Sequence, residues 1–483
     1  MKQISFYLKY IFLFVFLLFI KFNIQAQAFT LDTTFNINYD FYALWGDLDP
    51  KVYGLNYEPD GKLMIYGYFW DGGTIADVLR LYEDGSLDNS WQFIVGGQGI
   101  LFLERLNNVY IMGNGISGGY FDKLNYTGQL TDLAWGHNLL SENTCGEYYI
   151  PYFFSDGSML VGSDGVCNLV QHLTKFLPDG TVDTNFRHTT NNTVWGITKY
   201  SSDKLLLYGG GQNSFTKYDT TTANVMCRID TLGNLDTTFK SIFISGYSNL
   251  KPLYIQNDGK IIIGIVFSII NCPSTLYLIR LNANGSLDST FNNFNNVGNN
   301  SGGVTTACPT TDGGYLIGGE FTQYQGYLRN NIVKTDVNGF IDTTYFNGEG
   351  IDSVGYSGLY SFVYCIKKGT NDTYYVMGDF THYNGVHVYP IIRLKGISAG
   401  INEIRQEKGV VRVYPNPTKD NLTIETNSNT EQRLEIVNLI GQTVYTNNIN
   451  KKATINTSAF AKGIYILKLS SDKETVVRKF VKE

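Results

Sequence analysis

Residues 280–291 read Arg-Leu-Asn-Ala-Asn-Gly-Ser-Leu-Asp-Ser-Thr-Phe, and this stretch decides the fold. It contains a basic residue, a glycine five residues later, an aspartate three beyond that, and then an aromatic residue. The same phrase recurs at Arg80, Gly85, Asp88 and Trp91; at Lys175, Gly180, Asp183 and Phe186; at Arg228, Gly233, Asp236 and Phe239; and at Lys334, Gly339, Asp342 and Tyr345. Self-similarity at a period of roughly 50 residues indicates a stacked or radial repeat architecture.

Each repeat is predicted to contain two hairpins. The first turn is Asp60-Gly61-Lys62 in one repeat and Asp258-Gly259-Lys260 in another. Asp-Gly between apolar runs is a strong hairpin signal, because glycine tolerates the positive φ of tight primed turns. The second hairpin is exemplified by Val78–Tyr82 and Ser86–Trp91. Four short strands in about 50 residues are typical of a β-propeller blade.

The two ends of the repeat region complement each other. Leu31–Phe35 reads as a fourth strand with no hairpin before it, whereas residues 355–396 supply three strands and no fourth. We therefore predict an all-β fold, a seven-bladed propeller closed by the N-terminal strand, which would pair an otherwise open sheet edge. A superhelical stack of repeats is the rival architecture.

The basic residue and the aspartate of each phrase lie on neighbouring strands of one hairpin, within reach of each other. A ring of charged ligand contacts is one interpretation. The other, which we favour, is a structural cross-strand pair that recurs because the repeat recurs.

The N-terminus has the features of a secretory signal peptide. Lys2 and Lys9 precede or flank the apolar run Tyr10–Ile20, and small residues follow at Ala26 and Ala28, where cleavage is expected. The alternative is an uncleaved anchor, but the run is shorter than the roughly 20 apolar residues that a span needs. No stable transmembrane segment is expected after processing.

Export permits disulfides, and the chain has six cysteines. Cys145 and Cys167 bracket a predicted hairpin and are the candidate pair, with free buried thiols as the alternative. Cys227, Cys272, Cys308 and Cys365 look like isolated core thiols.

The composition fits many short strands and excludes a nucleic-acid partner. Of 483 residues, 14% are aromatic and 17% are charged, and the net charge of −6 leaves no basic stripe.

The repeat phrases, together with Gly319-Glu320-Phe321-Thr322 and Gly378-Asp379-Phe380-Thr381, resemble the delta-60 repeat family over residues 31–396. That resemblance implies a propeller and no established activity.

Beyond residue 410 the repeat ends, and the remaining sequence predicts a small Ig-like β-sandwich. Its seven short strands are predicted at Val411–Tyr414, Leu422–Ile424, Leu434–Val437, Val444–Tyr445, Ala453–Ile455, Ile464–Leu469 and Val476–Val481. The segment starts with Tyr414-Pro415-Asn416-Pro417, continues through Gly463-Ile464-Tyr465 and ends near Lys479. These residues resemble the type A C-terminal sorting domain of the Bacteroidota type IX secretion system, with an ordinary Ig-like accessory domain as the alternative.

The predicted organisation is a signal peptide over 1–28, a propeller over 29–396, a linker over 397–410 and a sorting domain over 411–483. The resemblance implies the type IX secretion machinery as a partner and a secreted or outer-membrane surface location.

A search for a catalytic constellation found no nucleophile elbow, phosphate-binding loop or zinc-protease motif. Glu320 and Asp379 occupy equivalent repeat positions and could form a carboxylate pair, and His382 and His387 share a loop and could bind a metal. Both sets are also compatible with purely structural roles, and no cofactor is expected. Two functions remain open: a non-catalytic propeller that binds glycan, protein or matrix, which we favour, and an exported polysaccharide hydrolase or lyase.

Overall fold

The computed structural model describes the chain over residues 28–37, 51–71, 74–91, 102–106, 109–113, 121–129, 150–166, 171–210, 213–241, 249–266, 278–292, 303–352, 361–397, 411–426, 430–438, 442–471 and 475–483. The chain divides into two compact units, Met1–Gly400 and Ile401–Glu483. All regular secondary-structure elements in the described residues are β-strands, which confirms the predicted all-β class.

Within its described residues, the first unit contains seven main antiparallel sheets of three or four strands, numbered here in chain order from the first complete hairpin, and three small sheets of two-residue strands. Their strands, in spatial order, are Lys51–Tyr57, Leu63–Asp71 and Thr74–Leu81 in sheet 1; Phe102–Leu106, Val109–Gly113 and Phe121–Asn125 in sheet 2; Tyr152–Phe153, Met159–Gly162 and Leu173–Phe176 in sheet 3; Gly196–Lys199, Lys204–Tyr208 and Met226–Asp230 in sheet 4; Asn249–Ile255, Ile261–Val266 and Leu278–Leu281 in sheet 5; Val304–Pro309, Tyr315–Gly319 and Ile332–Thr335 in sheet 6; and Phe362–Lys368, Thr373–Asp379, Ile391–Lys395 and Thr30–Leu31 in sheet 7.

Short outer strands accompany three of these sheets. They are Lys217–Tyr218 with Thr221–Thr222, Gln323–Tyr324 with Tyr327–Leu328, and Ile351–Asp352 with His382–Tyr383 and Val386–His387.

The hairpin turns differ from the predicted two-residue primed turns. The Glu58 carbonyl accepts from the Gly61 amide at 3.0 Å, and the Glu58 amide donates to the Lys62 carbonyl at 2.8 Å. Gly61 alone in this loop has positive φ, +87°. The loop is therefore a type I turn followed by a bulge at glycine, because Pro59 cannot adopt the positive φ that a primed turn needs at its first central position.

The predicted fourth strand is reduced to a single bridge in sheets 1, 3, 4, 5 and 6. Leu81 pairs with Leu87 and Leu281 pairs with Leu287, and no ladder continues beyond either pair among the described residues. The Asp288 amide still donates to the Arg280 carbonyl at 2.9 Å, so the chain runs beside the third strand for a short distance. The chain then turns away because Asp288 Oδ1 accepts from the amide and the hydroxyl of Thr290, two residues further on.

The N-terminal segment lies in the seventh sheet. Thr30 pairs with Lys395 and Leu31 with Leu394, and the Asp32 amide donates to the Arg393 carbonyl at 2.8 Å. Phe29 is 2% exposed and stacks on Phe346 with ring centroids 5.1 Å apart. The segment from the start of the chain therefore occupies the place that the Leu87 and Leu287 segments occupy in their own repeats.

The hydrophobic core is divided among the gaps between successive sheets. One cluster joins Leu206 of sheet 4 to Leu250 and Ile263 of sheet 5. An equivalent cluster joins sheet 7 to sheet 1 and contains Met377 and Leu55 among others. Sheets that are far apart in the chain thus share a core of the same kind as sequential neighbours do.

Polar contacts follow the same path between sheet 7 and sheet 1. The Tyr57 hydroxyl donates to the Lys368 carbonyl at 2.8 Å, and Lys367 Nζ donates to the Leu55 carbonyl at 2.7 Å. These bonds connect residues more than 300 positions apart in the sequence.

The second unit has two sheets around one core. One contains Arg412–Tyr414, Asn421–Glu425 and Lys452–Asn456, and the other contains Thr443–Ile449, Gln432–Asn438, Gly463–Ser470 and Thr475–Lys482. Leu422 and Ile424 of the first sheet and Leu434, Leu467 and Phe480 of the second lie in a common cluster of buried residues. Six of the seven predicted strands fall within longer observed strands, because the ladders extend past the apolar residues. The first, predicted at Val411–Tyr414, begins one residue later, at Arg412.

Deleting residues 29–35 from the mature chain should destabilise the first unit as a whole. The deletion removes buried Phe29, a side chain whose loss typically costs about 3–5 kcal/mol, and leaves Arg393 without its carboxylate partner. We expect a clearly lower thermal midpoint by differential scanning calorimetry. Leu232→Ala, at a side chain that is 75% exposed, is the control and should leave the midpoint near that of the parent. An unchanged midpoint for the deletion would show that the N-terminal strand is dispensable.

Candidate functional site

The recurring basic residue holds three partners at once, as sheet 5 illustrates. Arg280 Nε donates to Asp288 Oδ2 at 2.7 Å. Its Nη1 donates to the Val337 carbonyl, in the second turn of sheet 6, at 2.8 Å. The guanidinium also lies over the Phe291 ring, 4.8 Å from its centroid. Basic residue, aspartate and aromatic residue therefore form one unit that joins a sheet to its successor.

Three other arginines repeat this arrangement. Their ion pairs are Arg80 with Asp88 at 2.7 Å, Arg228 with Asp236 at 2.9 Å and Arg393 with Asp32 at 2.8 Å. Each also donates to a turn carbonyl of another sheet: Arg80 to Tyr126 at 3.3 Å, Arg228 to Ala283 at 2.7 Å and Arg393 to Glu83 at 2.7 Å. The bond from Arg393 connects sheet 7 to sheet 1, and the bond from Arg80 connects sheet 1 to sheet 2.

The electrostatics of the unit are those of a buried structural ion pair. Burial by itself would raise the pKa of Asp288, but hydrogen bonds from Thr290, Lys260 and Arg280 outweigh it and hold the pKa far below its usual range. The Arg280 and Asp288 side chains are each 4% exposed, which leaves no room for a ligand between them. The symmetric, buried pair supports the structural interpretation over a ring of ligand contacts.

Sheet 6 departs from the expected pairing. Lys334 Nζ lies 2.9 Å from Asp312 Oδ2 and also donates to the Thr335 carbonyl, whereas Asp342 Oδ1 accepts from the Thr344 hydroxyl at 2.6 Å. The contact with Asp312 replaces the predicted contact between the Lys334 and Asp342 side chains. Position 314 is glycine, so this first turn has no lysine that could pair with Asp312. The Lys334 ammonium pairs with Asp312 instead.

An asymmetric group of side chains lies at the start of the first strands of sheets 1 and 7. We call Tyr53, Phe362 and Tyr364 the aromatic cluster. The Tyr53 and Tyr364 ring centroids are 5.1 Å apart and nearly perpendicular, and Phe362 stacks on Tyr364 at 4.6 Å. All three side chains are half-buried, so their rings keep contact with solvent.

Irregular strand pairing positions the two tyrosines. The register of sheet 1 shifts between Val52 and Gly54, and that of sheet 7 shifts between Val363 and Cys365. Tyr53 and Tyr364 are the extra residues at these shifts, and such a bulge redirects a side chain out of the regular alternation. Sequence reasoning missed both residues; their signal was a tyrosine at a position where the repeat in sheet 6 has Thr305.

Charged groups flank the aromatic cluster. Lys51 Nζ lies 3.1 Å from Asp379 Oδ2. Burial raises the pKa of Tyr364, and the charges of Asp379 and Glu320 act in the same direction. Burial also raises the pKa of Glu320. Asp379 is thus held in an ion pair, whereas Glu320 is in a less solvated position.

Two side chains of first strands have pKa values shifted by the protein around them. The Lys251 side chain of sheet 5 is exposed, yet surrounding protein lowers its pKa, an effect that the Cys365 thiol of sheet 7 opposes. Surrounding protein raises the pKa of Glu104 of sheet 2, and the charge of Lys367 of sheet 7 opposes that shift.

Tyrosines of two second strands lie against glycines of the first strands. A Cβ on Gly54 would collide with the Tyr66 hydroxyl, and one on Gly196 would collide with the Tyr208 hydroxyl. Only glycine on the first strand lets each ring cross it.

The cysteines and the signal-cleavage residues have mixed outcomes. Cys227 and Cys308 are free and buried, as predicted, whereas Cys365 is free but half-buried. Ala26 and the candidate pair Cys145 and Cys167 lie outside the described residues. Ala28 packs against the core cluster of sheet 7, and both the cleavage site and the disulfide stay predictions.

The two loop histidines are brought together. His382 and His387 are directly paired across a hairpin, and their ring centroids are 5.4 Å apart. Within the part of the chain that the structure describes, no group of three or more His, Cys, Asp or Glu side chains is arranged to hold a metal ion.

In the second unit, the structure joins the beginning of the predicted sorting motif to the end of the chain. Asn416 Oδ1 accepts from the Val481 amide at 2.9 Å, and Asn416 Nδ2 donates to the Lys479 carbonyl at 3.3 Å. Tyr414-Pro415 and Asn416-Pro417 are cis peptide bonds. The exposed motif therefore binds the backbone of the last strand through one asparagine.

The other motif residues lie on the last two strands, Gly463–Ser470 and Thr475–Lys482. Gly463 pairs with Lys482, and Tyr465 pairs with Phe480, on which its ring stacks at 5.5 Å. The Tyr465 hydroxyl donates to the Ala461 carbonyl at 2.8 Å. These contacts fix the register of the terminal hairpin.

Two protein families match this chain. Residues 412–483 match the secretion system C-terminal sorting domain. Residues 58–90, 214–239, 256–291 and 310–345 match a β-propeller domain of unknown function, DUF5122. The chain is a β-propeller protein with a type IX secretion sorting domain, and that domain directs it to the cell surface or out of the cell.

Several solved structures are similar to this chain at a low level. One is PorZ, a surface component of the type IX secretion system of Porphyromonas gingivalis, at 13% identity and TM-score 0.35, covering 91% of this chain and 71% of that one. The designed protein Ika8 has 11% identity and TM-score 0.38, covering 76% and 99%. The AfRom2 CNH domain has 11% identity and TM-score 0.37, covering 76% and 98%. None of the curated proteins matches the chain.

No helix among the described residues is long and apolar enough to cross a membrane.

Asp288→Asn should destabilise the first unit, with a characteristic dependence on pH. The folded pKa lies below the unfolded value of about 3.9, so the stabilisation is present above that pH and is lost as pH falls toward the folded pKa. At pH 7 we expect a loss of about 3 kcal/mol, because Arg280 keeps its charge without a partner. The difference in the free energy of unfolding between parent and variant, measured by denaturant titration, should become smaller below about pH 4. Asp258→Asn, at an exposed turn residue of the same sheet, is the control; equal effects of the two variants would contradict the assignment.

Asn416→Ala should loosen the last strand without unfolding the second unit. It removes the acceptor of the Val481 amide, a bond worth about 1 kcal/mol, so that amide should exchange with solvent roughly fivefold faster. Hydrogen exchange read by mass spectrometry or NMR measures the change. Asn447→Ala, elsewhere in the same unit, should leave Val481 unaffected, and an unchanged Val481 rate in Asn416→Ala would refute the role of Asn416.

Proposed function

We propose that this protein is an exported propeller that binds glycans through the aromatic cluster without catalysing a reaction. Its organisation is a signal peptide over 1–28, a closed ring of seven blades over 29–396, a linker over 397–410 and an Ig-like sorting domain over 411–483. The contacts from Arg393 to Asp32 and Glu83 support the closed ring, because they repeat at the chain ends what Arg280 does between successive sheets.

The observation that carries the binding role is the placement of the aromatic cluster. Half-buried rings beside charged groups are suited to sugars, whose apolar faces stack on rings while their hydroxyls need hydrogen-bond partners. Tyr53 and Tyr364 supply rings, and Asp379, Lys51 and Glu320 supply the polar partners.

The cluster also breaks the repeat. The bulge position is tyrosine in sheets 1 and 7 but Thr305 in sheet 6. Residues that serve only the fold recur with it, as Arg280 and its equivalents do. A departure from the repeat at an accessible position favours a role in binding.

A hydrolase or lyase is the second candidate, and one observation favours it. Glu320 is less solvated and has a raised pKa, whereas Asp379 pairs with Lys51. Two carboxylates in environments that push their protonation apart are suited to an acid and a base in glycoside cleavage.

The proposal is tested with the mature, exported chain on a glycan array, followed by calorimetric titration of the best ligands. Tyr53→Thr/Tyr364→Thr copies the residue of sheet 6 and should weaken binding at least about tenfold, the loss of roughly 1.4 kcal/mol of ring contact. Tyr126→Thr is the control variant. It removes a tyrosine that is 64% exposed and is remote in sequence from Tyr53 and Tyr364, so its affinity should equal that of the parent. Parental affinity in the double variant would exclude the cluster as the binding site.

Turnover assays on the bound glycans decide between the two candidates. The binding protein should release no product, and Glu320→Gln should retain ligand. Product formation that is lost in Glu320→Gln and in Asp379→Asn would establish the enzyme instead.

A further inference from the structure

We propose that His382 and His387 form a binding site for a divalent transition-metal ion, Cu²⁺ or Zn²⁺, on the outer hairpin of sheet 7. The site lies on short strands outside the aromatic cluster and does not depend on the glycan-binding proposal.

The hairpin brings two imidazoles to one face. His382–Tyr383 and Val386–His387 are its strands, and His382 pairs directly with His387. Directly opposed residues of an antiparallel pair project to the same face of the sheet. The ring planes are 88° apart with centroids separated by 5.4 Å, and His387 is exposed while His382 is half-buried. Solvent and dissolved ions therefore have access to the pair.

One of the two rings is already oriented. His382 Nδ1 lies 2.8 Å from the Thr381 hydroxyl. When Nδ1 donates its hydrogen to the Thr381 hydroxyl oxygen, Nε2 keeps its lone pair for a metal. Thr381 is thus a positioning residue for the site rather than a ligand.

Equivalent hairpins show that the histidines are not required by the fold. Outer hairpins of sheets 6 and 4 keep a buried tyrosine at the position of Tyr383, namely Tyr324 and Tyr218. The pair that corresponds to His382 and His387 is Gln323 with Leu328 in sheet 6 and Lys217 with Thr222 in sheet 4. The tyrosine follows the repeat, whereas the two histidines depart from it together.

The chemistry of the pair selects the class of ion. Imidazole nitrogens suit Cu²⁺, Zn²⁺ and Ni²⁺, whereas Ca²⁺ and Mg²⁺ prefer oxygen ligands. Two protein ligands leave the remaining coordination positions to water. Asp352 pairs with His382 on the adjacent strand and accepts from the Ser361 hydroxyl at 3.2 Å, so a carboxylate stands in the same row as the two rings. Its negative charge favours a cation at this face.

The experiment uses the untagged mature chain, with CuCl₂ or ZnCl₂ as the probe, in isothermal titration calorimetry. His382→Gln/His387→Leu copies the residues of sheet 6, so the hairpin has a sequence that folds in its neighbour. We expect one site in the parent and at least a tenfold loss of affinity in the double variant. His172→Gln removes a histidine outside the pair and should bind as the parent does.

A second variant separates ligation from hairpin stability. Thr381→Val keeps both imidazoles and should weaken Zn²⁺ about tenfold by freeing the His382 ring. In the parent, Cu²⁺ should also broaden or shift the imidazole NMR resonances of both His382 and His387, while CaCl₂ leaves them unchanged. Equal affinity in the parent and the double variant, or metal-induced changes confined to other residues, would overturn the proposal.

Discussion

The fold depends on one interaction that recurs from sheet to sheet: an arginine that binds an aspartate of its own sheet and a turn carbonyl of another. A guanidinium can do this because its planar donors point in several directions at once, while its face rests on an aromatic ring. Arg280 shows the complete arrangement. In sheet 6, where the first turn has Gly314 in place of a lysine, Lys334 takes different partners. Arg393 carries the same interaction to the start of the chain through Asp32 and Glu83.

Because the repeated charges serve this purpose, the residues free for other roles are those that depart from the repeat. Tyr53 and Tyr364 arise where an extra residue interrupts the strand register, and the His382–His387 pair replaces side chains that differ in every comparable hairpin described. Both features rest on the scaffold without altering it. Such a division lets a stable architecture acquire binding sites by changing few residues.

In the second unit, side-chain contacts hold the terminal strand in a defined position. Asn416 binds the backbone near Lys479 and Val481, so the exposed beginning of the motif and the end of the chain form one surface. Tyr465 stacking on Phe480 holds the same strand from its buried side. The sorting role of this domain thus coincides with a terminal strand that is held at its edge and on its buried face.

Local patterns determined much of this protein. The spacing from Arg280 to Phe291 indicated the repeat, alternating apolar runs located most strands, and the Tyr414–Pro417 motif indicated the sorting domain, because each depends on residues close in the chain. The turn type and the length of the fourth strands were predicted wrongly. Pro59 cannot take a positive φ, and Asp288 turns the chain away from the third strand by accepting from Thr290. Only the tertiary structure brought Tyr53 beside Tyr364. Contacts between individual side chains of different sheets leave no periodic trace in the sequence, because they depend on how whole sheets pack against one another.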